Sequence, residues 1–276
     1  MRIAALAMIA LISGCAQIPA PDLDADSCEL VPVFMEEFDT LSVSPNRIGP
    51  ARWTAHTPWW GDFGDAWFTD PGRDGPFSVD QGVLTIKAWK DKNQQWRSGL
   101  LAAADRTGKG YGTQYGYFEA RIKFPPGKGT WPAFWLVPLI PVNSLDGRVE
   151  IDVVEYYGAW TDVFHSVLHV HFDDPAKKRS EGTRTTVPDG LLIDEFNTYG
   201  VDVSPSEIVF FLNAEEVWRQ PTPDELRYPM YPIVNLALGS GWPIDETPDP
   251  SFMLVDYVRV YARGSSDTCA PGLPAS

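Results

Sequence analysis

The chain has 276 residues, a formal net charge of −15, 25 prolines, 23 glycines and 35 aromatic residues (11 Trp, 10 Tyr, 14 Phe). That length holds one sizeable core, and the acidic balance excludes a polyanion-binding nucleic-acid protein, which needs a basic footprint. Frequent breakers, short apolar runs and no sustained helical period predict a single all-β domain of strands joined by turns.

In chain order, Arg2 precedes an apolar run from Ile3 to Ile12 that is too short to span a membrane as a mature helix, so residues 1–14 read as an export signal. Leu11-Ile12-Ser13-Gly14-Cys15 resembles a bacterial lipoprotein box, with Cys15 as the lipidated mature N-terminus. An ordinary secretory signal cut a few residues later is the alternative. Either implies export: the first to a membrane facing periplasm or cell surface, held by lipid alone, the second to the medium. Residues 15–30, rich in Ala, Pro and Asp, form a tether, residues 31–263 the domain, and residues 264–276 a tail. Cys28 and Cys269 flank the strand-rich region and are expected to form a disulfide tying its ends together, with two free thiols as the alternative.

Val31–Asp39 reads as a first strand. His56–Asp74 is a loop by its Gly and Pro positions, and it carries Trp59, Trp60, Phe63, Trp67 and Phe68. Flat rings cover the apolar faces of pyranoses, so the loop is a candidate sugar-stacking surface; the bland alternative is an aromatic cluster pinning a long loop. Strands follow at Gly82–Trp89, Leu100–Ala104 and Gly116–Phe124. In the last of these Phe118, Ala120, Ile122 and Phe124 face one way, while Tyr117, Glu119, Arg121 and Lys123 are expected on a solvated face. Thr130–Val137 puts Trp131, Ala133 and Trp135 on one side; Trp131 is assigned to a cleft, and Trp135 is open between cleft and core.

Arg148–Tyr157 (RVEIDVVEYY) places Glu150, Asp152 and Glu155 in a strand otherwise built of Val and Ile. Glu150 and Asp152 share a face. Simple alternation sends Glu155 to the opposite face with Val149, Ile151 and Val153, where an unpaired carboxylate costs several kcal/mol if that face is core. A bulge at Val153 and Val154 removes the conflict by re-phasing the strand, and is predicted there. His165, His169 and His171 alternate along Phe164–Phe172, and no second ligand pair accompanies them, so zinc is disfavoured. One histidine bordering the carboxylates, to orient an acid or bind sugar hydroxyls, is the preferred reading. Later strands are legible at Asn197–Val203, Glu207–Asn213, Tyr231–Leu238 and Met253–Tyr261. Thr222–Leu226 reads as one helical turn with Thr222 as cap and Pro223 first. About a dozen strands without substantial helix fit a two-sheet β-sandwich or jelly roll.

Two carboxyl groups facing each other across a sugar suit glycoside hydrolysis, and a third beside them keeps one proton in place by like-charge repulsion. Glu150 and Glu155 lie roughly 13 Å apart along a bulged strand, which inward-leaning side chains reduce toward the roughly 5 to 5.5 Å of a retaining enzyme.

Glu150-Ile151-Asp152-Val153-Val154-Glu155 resembles the E-x-D-x-x-E signature of glycoside hydrolase family 16, in the bulged form of its laminarinase-like branch. Tyr115–Arg121, Gly129–Trp135, Asn235–Gly239 with Trp242, and Asp256–Tyr261 are similar to further family blocks, in the family's order. The resemblance implies a concanavalin-like jelly roll with a cleft on its concave sheet, and endo-acting, retaining hydrolysis of a β-linked polysaccharide. It implies Glu150 as nucleophile, Glu155 as general acid/base and Asp152 as the assisting carboxylate. It implies Trp131, Asn235 and Trp242 at sugar subsites; Trp59, Trp60, Arg97, Trp135, His169 and His171 are further candidate substrate contacts. No cofactor is required for catalysis, though many relatives hold a structural calcium, for which Glu37 and Asp256 are the matching positions. Leu145-Asp146-Gly147-Arg148 replaces a common Trp-Pro, and Val203 a common Trp, which argues against a plain β-1,3-glucan as substrate. With the block Trp96–Leu101, the chain is similar to bacterial exopolysaccharide-depolymerising members described as endo-β-1,3-1,4-glycanases. A transglycosylase and a non-catalytic, lipid-anchored sugar binder are the rivals, and a monomer is expected.

Overall fold

The structure, a computed structural model, describes residues 30–59, 61–141 and 146–263. Cys15, Cys28, Cys269 and Trp60 lie outside the described residues, so the lipid site, the disulfide and one aromatic contact stand as sequence expectations. Among the described residues no helix is long and apolar enough to cross a membrane.

The strands are β1 (Leu30–Glu36), β2 (Val43–Ser44), β3 (Trp53–Thr54), β4 (Trp67–Phe68), β5 (Phe77–Asp80), β6 (Val83–Lys90), β7 (Trp96–Ser98), β8 (Leu100–Ala102), β9 (Gly116–Lys123), β10 (Thr130–Pro138), β11 (Arg148–Tyr156), β12 (Val163–His171), β13 (Arg179–Thr186), β14 (Asn197–Val203), β15 (Glu207–Leu212), β16 (Glu215–Pro221), β17 (Met230–Leu238) and β18 (Ser251–Arg263). The only α-helix among the described residues is the four-residue Leu191–Asp194. One sheet runs β16-β15-β14-β9-β18-β6-β7-β4, with β1 added on β18 and β5 on β6; the other runs β13-β12-β11-β10-β17-β8-β3-β2. Their facing sides close on one core. Phe118, Ile122, Ile86 and Val260 come from the first sheet, and Phe134, Ile151, Phe164 and Leu236 from the second. This is the two-sheet jelly-roll sandwich that the alternating strands predict.

Three local expectations change. The second face of β9 is solvated only in part: Arg121 and Lys123 are partly exposed, but Tyr117 is fully buried and Glu119 is 4% exposed. β9 lies between β14 and β18 at mid-sheet, so rings from neighbouring strands cover that part of the face; Tyr117 packs against Phe211 at 6.0 Å and Tyr261 at 6.4 Å, and Arg259 reaches to 3.9 Å from Glu119. Thr222 caps no helix. Its hydroxyl donates to the Ser204 carbonyl, and Leu226 closes a single turn onto the Pro223 carbonyl. β13 was not foreseen because it is a polar strand at the end of its sheet, exposed on both faces and without apolar alternation.

Candidate active site

β11 is regular up to Asp152, which lies opposite Val167 of β12 and Trp135 of β10. Glu155 then lies opposite His165 and Ala133, so three steps on β11 match two on each neighbour. Val153 is the extra residue. Val154 still points into the core beside Phe134, and Glu155 returns to the face of Glu150 and Asp152, as the predicted bulge requires. A bulge strands a carbonyl, and here Ser166, itself fully buried, donates its hydroxyl to the Val153 carbonyl at 2.8 Å. Ser166→Ala leaves that acceptor unsatisfied and is expected to cost about 1–3 kcal/mol in denaturant unfolding. An unchanged midpoint would mean that the hydroxyl does not hold the bulge.

The three acids sit in different surroundings. The Glu155 carboxylate accepts from Trp131 Nε1 at 2.9 Å and from the Tyr157 hydroxyl at 3.2 Å. Burial raises its pKa; these two hydrogen bonds and nearby His169 oppose the rise, while the Glu150 charge adds to it. Asp152 is 6% exposed, and burial followed by the charges of Glu150 and Glu155 holds its pKa well above the ordinary 3.8. Oxygens of Glu150 and Asp152 and a ring nitrogen of His169 lie within 4.8 Å of one another.

β12 supplies a parallel row of histidines. His169 Nε2 is 3.3 Å from Asp152, with its Nδ1 2.5 Å from Ser180 Oγ, and His171 Nε2 is 3.4 Å from Glu150. His165 packs its ring edge-on to Tyr157. Tyr157, Ser166 and Ser180 escaped the sequence reading. Tyr157 was accessible to it, because it stands two residues after Glu155 and so shares its face.

Tyr157→Phe removes a hydrogen bond that favours the ionised form of Glu155, so the proton is held to higher pH. The alkaline limb of the kcat/KM profile is expected to move up by about half to one pH unit. A limb that stays in place or moves down would contradict Glu155 as the titrating acid.

Aromatic rings border both sides of the acids. Trp131 stacks on Tyr157 at 11° between planes, and Trp160 meets Tyr157 and the half-exposed Trp242 edge-on. Beside Glu150 a cavity of about 420 Å³ is lined by Trp59, Arg148, His171 and Tyr231. Trp135, left open by the sequence, is on the cleft face but 6% exposed, because Trp59 and Phe63 from the 56–74 loop pack against it. Its indole Nε1 donates to Asn235 Oδ1 at 2.7 Å, and the buried Asn235 Nδ2 has no protein partner. Asn235 lies directly opposite Ala133 and so shares this face.

Arg97 corrects the sequence reading. It is on β7 of the other sheet, bound to Asp91 at 2.8 Å and stacked over Trp67, because Trp96 and Ser98 occupy the inward positions and alternation turns Arg97 outward.

The calcium positions also fail to fit. The Glu37 carboxylate is engaged by Arg259 at 2.8 and 2.9 Å, and Asp256, at a register shift in β18, pairs with Arg121 at 2.6 Å. A guanidinium already stands at each carboxylate that a cation would need.

The family model for glycosyl hydrolases family 16 matches residues 80–259. Endo-1,3-1,4-β-glycanase ExsH of Rhizobium meliloti (strain 1021) is 32% identical across 87% of this chain and 53% of its own length, so the chain spans about half of that relative. A β-glucanase of Rhodothermus marinus is 30% identical, covering 92% of both chains. The X-ray structure of the laminarinase from Rhodothermus marinus superposes with a TM-score of 0.67 at 27% identity, over 86% of this chain and 99% of that one. The matched span contains the bulged strand, its neighbours β10 and β12, and the Asn235 block, and the chain therefore belongs to glycosyl hydrolase family 16.

Proposed function

We propose that the chain is an endo-acting, retaining glycoside hydrolase that cleaves internal β-1,3 or β-1,4 linkages of a β-glucan or bacterial exopolysaccharide. One observation carries the reading: the bulge brings Glu155 onto the face of Glu150, in surroundings whose burial raises the Glu155 pKa. Glu150 attacks the anomeric carbon while Glu155, whose pKa burial raises, gives its proton to the departing glycosidic oxygen. The glycosyl–Glu150 ester is then opened by a water whose proton Glu155 takes back. Asp152, whose carboxyl holds its proton more tightly than an ordinary aspartate because it is buried and flanked by Glu150 and Glu155, sits beside Glu150 as the assisting carboxyl.

Endo action is supported by sites on both sides of the acids. The cavity beside Glu150 and the Trp160–Trp242 pair beyond Glu155 let a chain run through without an end being bound. The printed activities of the glycanase and β-glucanase relatives support the linkage class.

The test is incubation with mixed-linkage β-glucan, laminarin and acidic exopolysaccharides, with product sizes followed over time. A rapid fall in polymer length before monosaccharide appears is expected. Binding without any product on any polymer would favour a non-catalytic sugar binder, and products longer than the substrate would favour a transglycosylase.

Catalysis needs no cofactor in this proposal, and Arg259 and Arg121 stand in for a structural cation. Thermal unfolding is accordingly expected to stay at the same midpoint with excess EDTA or millimolar calcium; a calcium-dependent rise of several degrees would contradict this. Export with a lipid on Cys15, and a monomeric state, belong to the same proposal and rest on the sequence alone.

A further inference from the structure

We infer that the outer face of the sheet at β4, β7, β6 and β18 is a second polysaccharide-binding platform, remote from the acids and suited to chains bearing negative substituents. The inference takes its polymer from the function proposed above. Register places Trp67, Arg97 and Trp89 in one row, since Trp67 lies opposite Arg97 and Arg97 opposite Trp89. Phe252 lies opposite Lys87, one strand further on, and continues the row diagonally. Trp67 is 58% exposed and Phe252 46% exposed, whereas the alternate residues Phe68, Ser98, Ala88 and Met253 are buried. The rings therefore point away from the core on the side opposite the buried set. Trp67 and Trp89 are two strand spacings apart, about 10 Å, which is roughly the advance of two sugar rings in a β-linked chain.

The rings are held in place. The Arg97 guanidinium lies 4.7 Å from the centre of Trp67 and is itself fixed by Asp91 and Gln95, and Lys87 Nζ lies 4.3 Å over Trp89. Rigid aromatic planes lose little freedom when a sugar stacks on them. Charge supplies the second argument. On this face Lys87 stands among the rings, Lys123 lies opposite Leu254 on the Phe252 side of β18, and Arg97 is paired with Asp91, within a chain of net charge −15. A cationic, ring-bearing surface on an acidic protein is complementary to an acidic polysaccharide rather than to another copy of this chain.

The platform is also tied to the cleft. Phe63 packs on Trp131 and Trp135 on one side and on Phe68, the neighbour of Trp67, on the other. A long chain held here stays concentrated near the cleft while successive bonds are cut.

The experiment uses the full chain carrying Glu150→Gln, run by affinity electrophoresis in gels containing a carboxylate-bearing β-linked exopolysaccharide or a neutral β-glucan. Adding Trp67→Ala and Trp89→Ala is expected to weaken retention by the acidic polymer by at least about tenfold. Lys87→Gln, which keeps both rings and removes one charge, is expected to remove part of that retention and its salt dependence. In the active protein the two Trp substitutions are expected to leave kcat/KM on a soluble tetrasaccharide unchanged while raising KM on polymer. Unchanged retention in both variants would overturn the platform, as would an equal loss on the tetrasaccharide. So would a concentration-dependent dimer in light scattering that the Trp substitutions dissolve. If the parent cleaves nothing yet its retention depends on Trp67 and Trp89, the platform stands and the hydrolase reading falls.

Discussion

Glu150→Gln is expected to lower turnover on polymer by about 10⁴-fold or more, because it removes the atom that forms the covalent intermediate and leaves only binding and residual acid assistance. Glu155→Gln is expected to lose about 10²–10⁴-fold on natural linkages, the usual worth of a general acid, and far less on an aryl glycoside whose leaving group departs without a proton. The pair can be separated by product stereochemistry. With azide as external nucleophile, Glu150→Gly opens the face the nucleophile occupied, and the α-glycosyl azide is expected. Glu155→Ala still forms the ester, which azide attacks from the opposite face to give the β-azide. The same azide anomer from both variants, or wild-type turnover in either, would contradict the assignment. Neither substitution should unfold the protein, since both side chains lie at the cleft rather than in the apolar core.

The chemistry was legible because it conflicted with the strand. Three acids in a Val/Ile strand cannot share one face by simple alternation, and the bulge that reconciles them is what the structure contains. The jelly roll was legible for the related reason that its core strands alternate cleanly. Contacts that depend on pairing between distant strands were not. Nothing around Ser166 says that its hydroxyl faces a carbonyl stranded across the sheet, and Trp96-Arg97-Ser98 reads the same whichever sheet receives it. The calcium expectation failed in the same way. Glu37 and Asp256 occupy the family's positions, but Arg259 and Arg121 become their partners only once β1, β9 and β18 are laid side by side. The glutamate on β9 misled in the other direction: its alternation was read correctly, but the rings that neighbouring strands lay over Tyr117 and Glu119, not polarity, decide whether that part of the face meets water.

Deleting Val153 and inserting a residue beside it are expected to have opposite outcomes, although each changes the strand by one residue. Val153 is skipped by both neighbours. Without it Asp152, Val154 and Glu155 fall opposite Val167, Ser166 and His165 on one side and Trp135, Phe134 and Ala133 on the other, in regular antiparallel register. Glu155 then remains on the cleft face and Val154 in the core. The deletion variant is expected to fold, to lose the stability of one buried Val, and to keep activity within about 100-fold, the range for a displacement of about 1 Å at the acid. An alanine inserted after Val153 has no such register to fall into. If the strand downstream of the insertion keeps regular alternation, Glu155 turns toward Phe134 and Ile151, where an unpaired carboxyl costs several kcal/mol. If the strand slips instead, Tyr156 leaves its stack on Phe124. Either way, activity is expected to fall to the level of Glu155→Ala, with a lowered unfolding midpoint. The measurement is turnover and thermal unfolding of the two variants side by side. An active insertion variant, or a deletion variant that fails to fold, would show that Glu155 reaches the cleft by some means other than the extra residue at Val153.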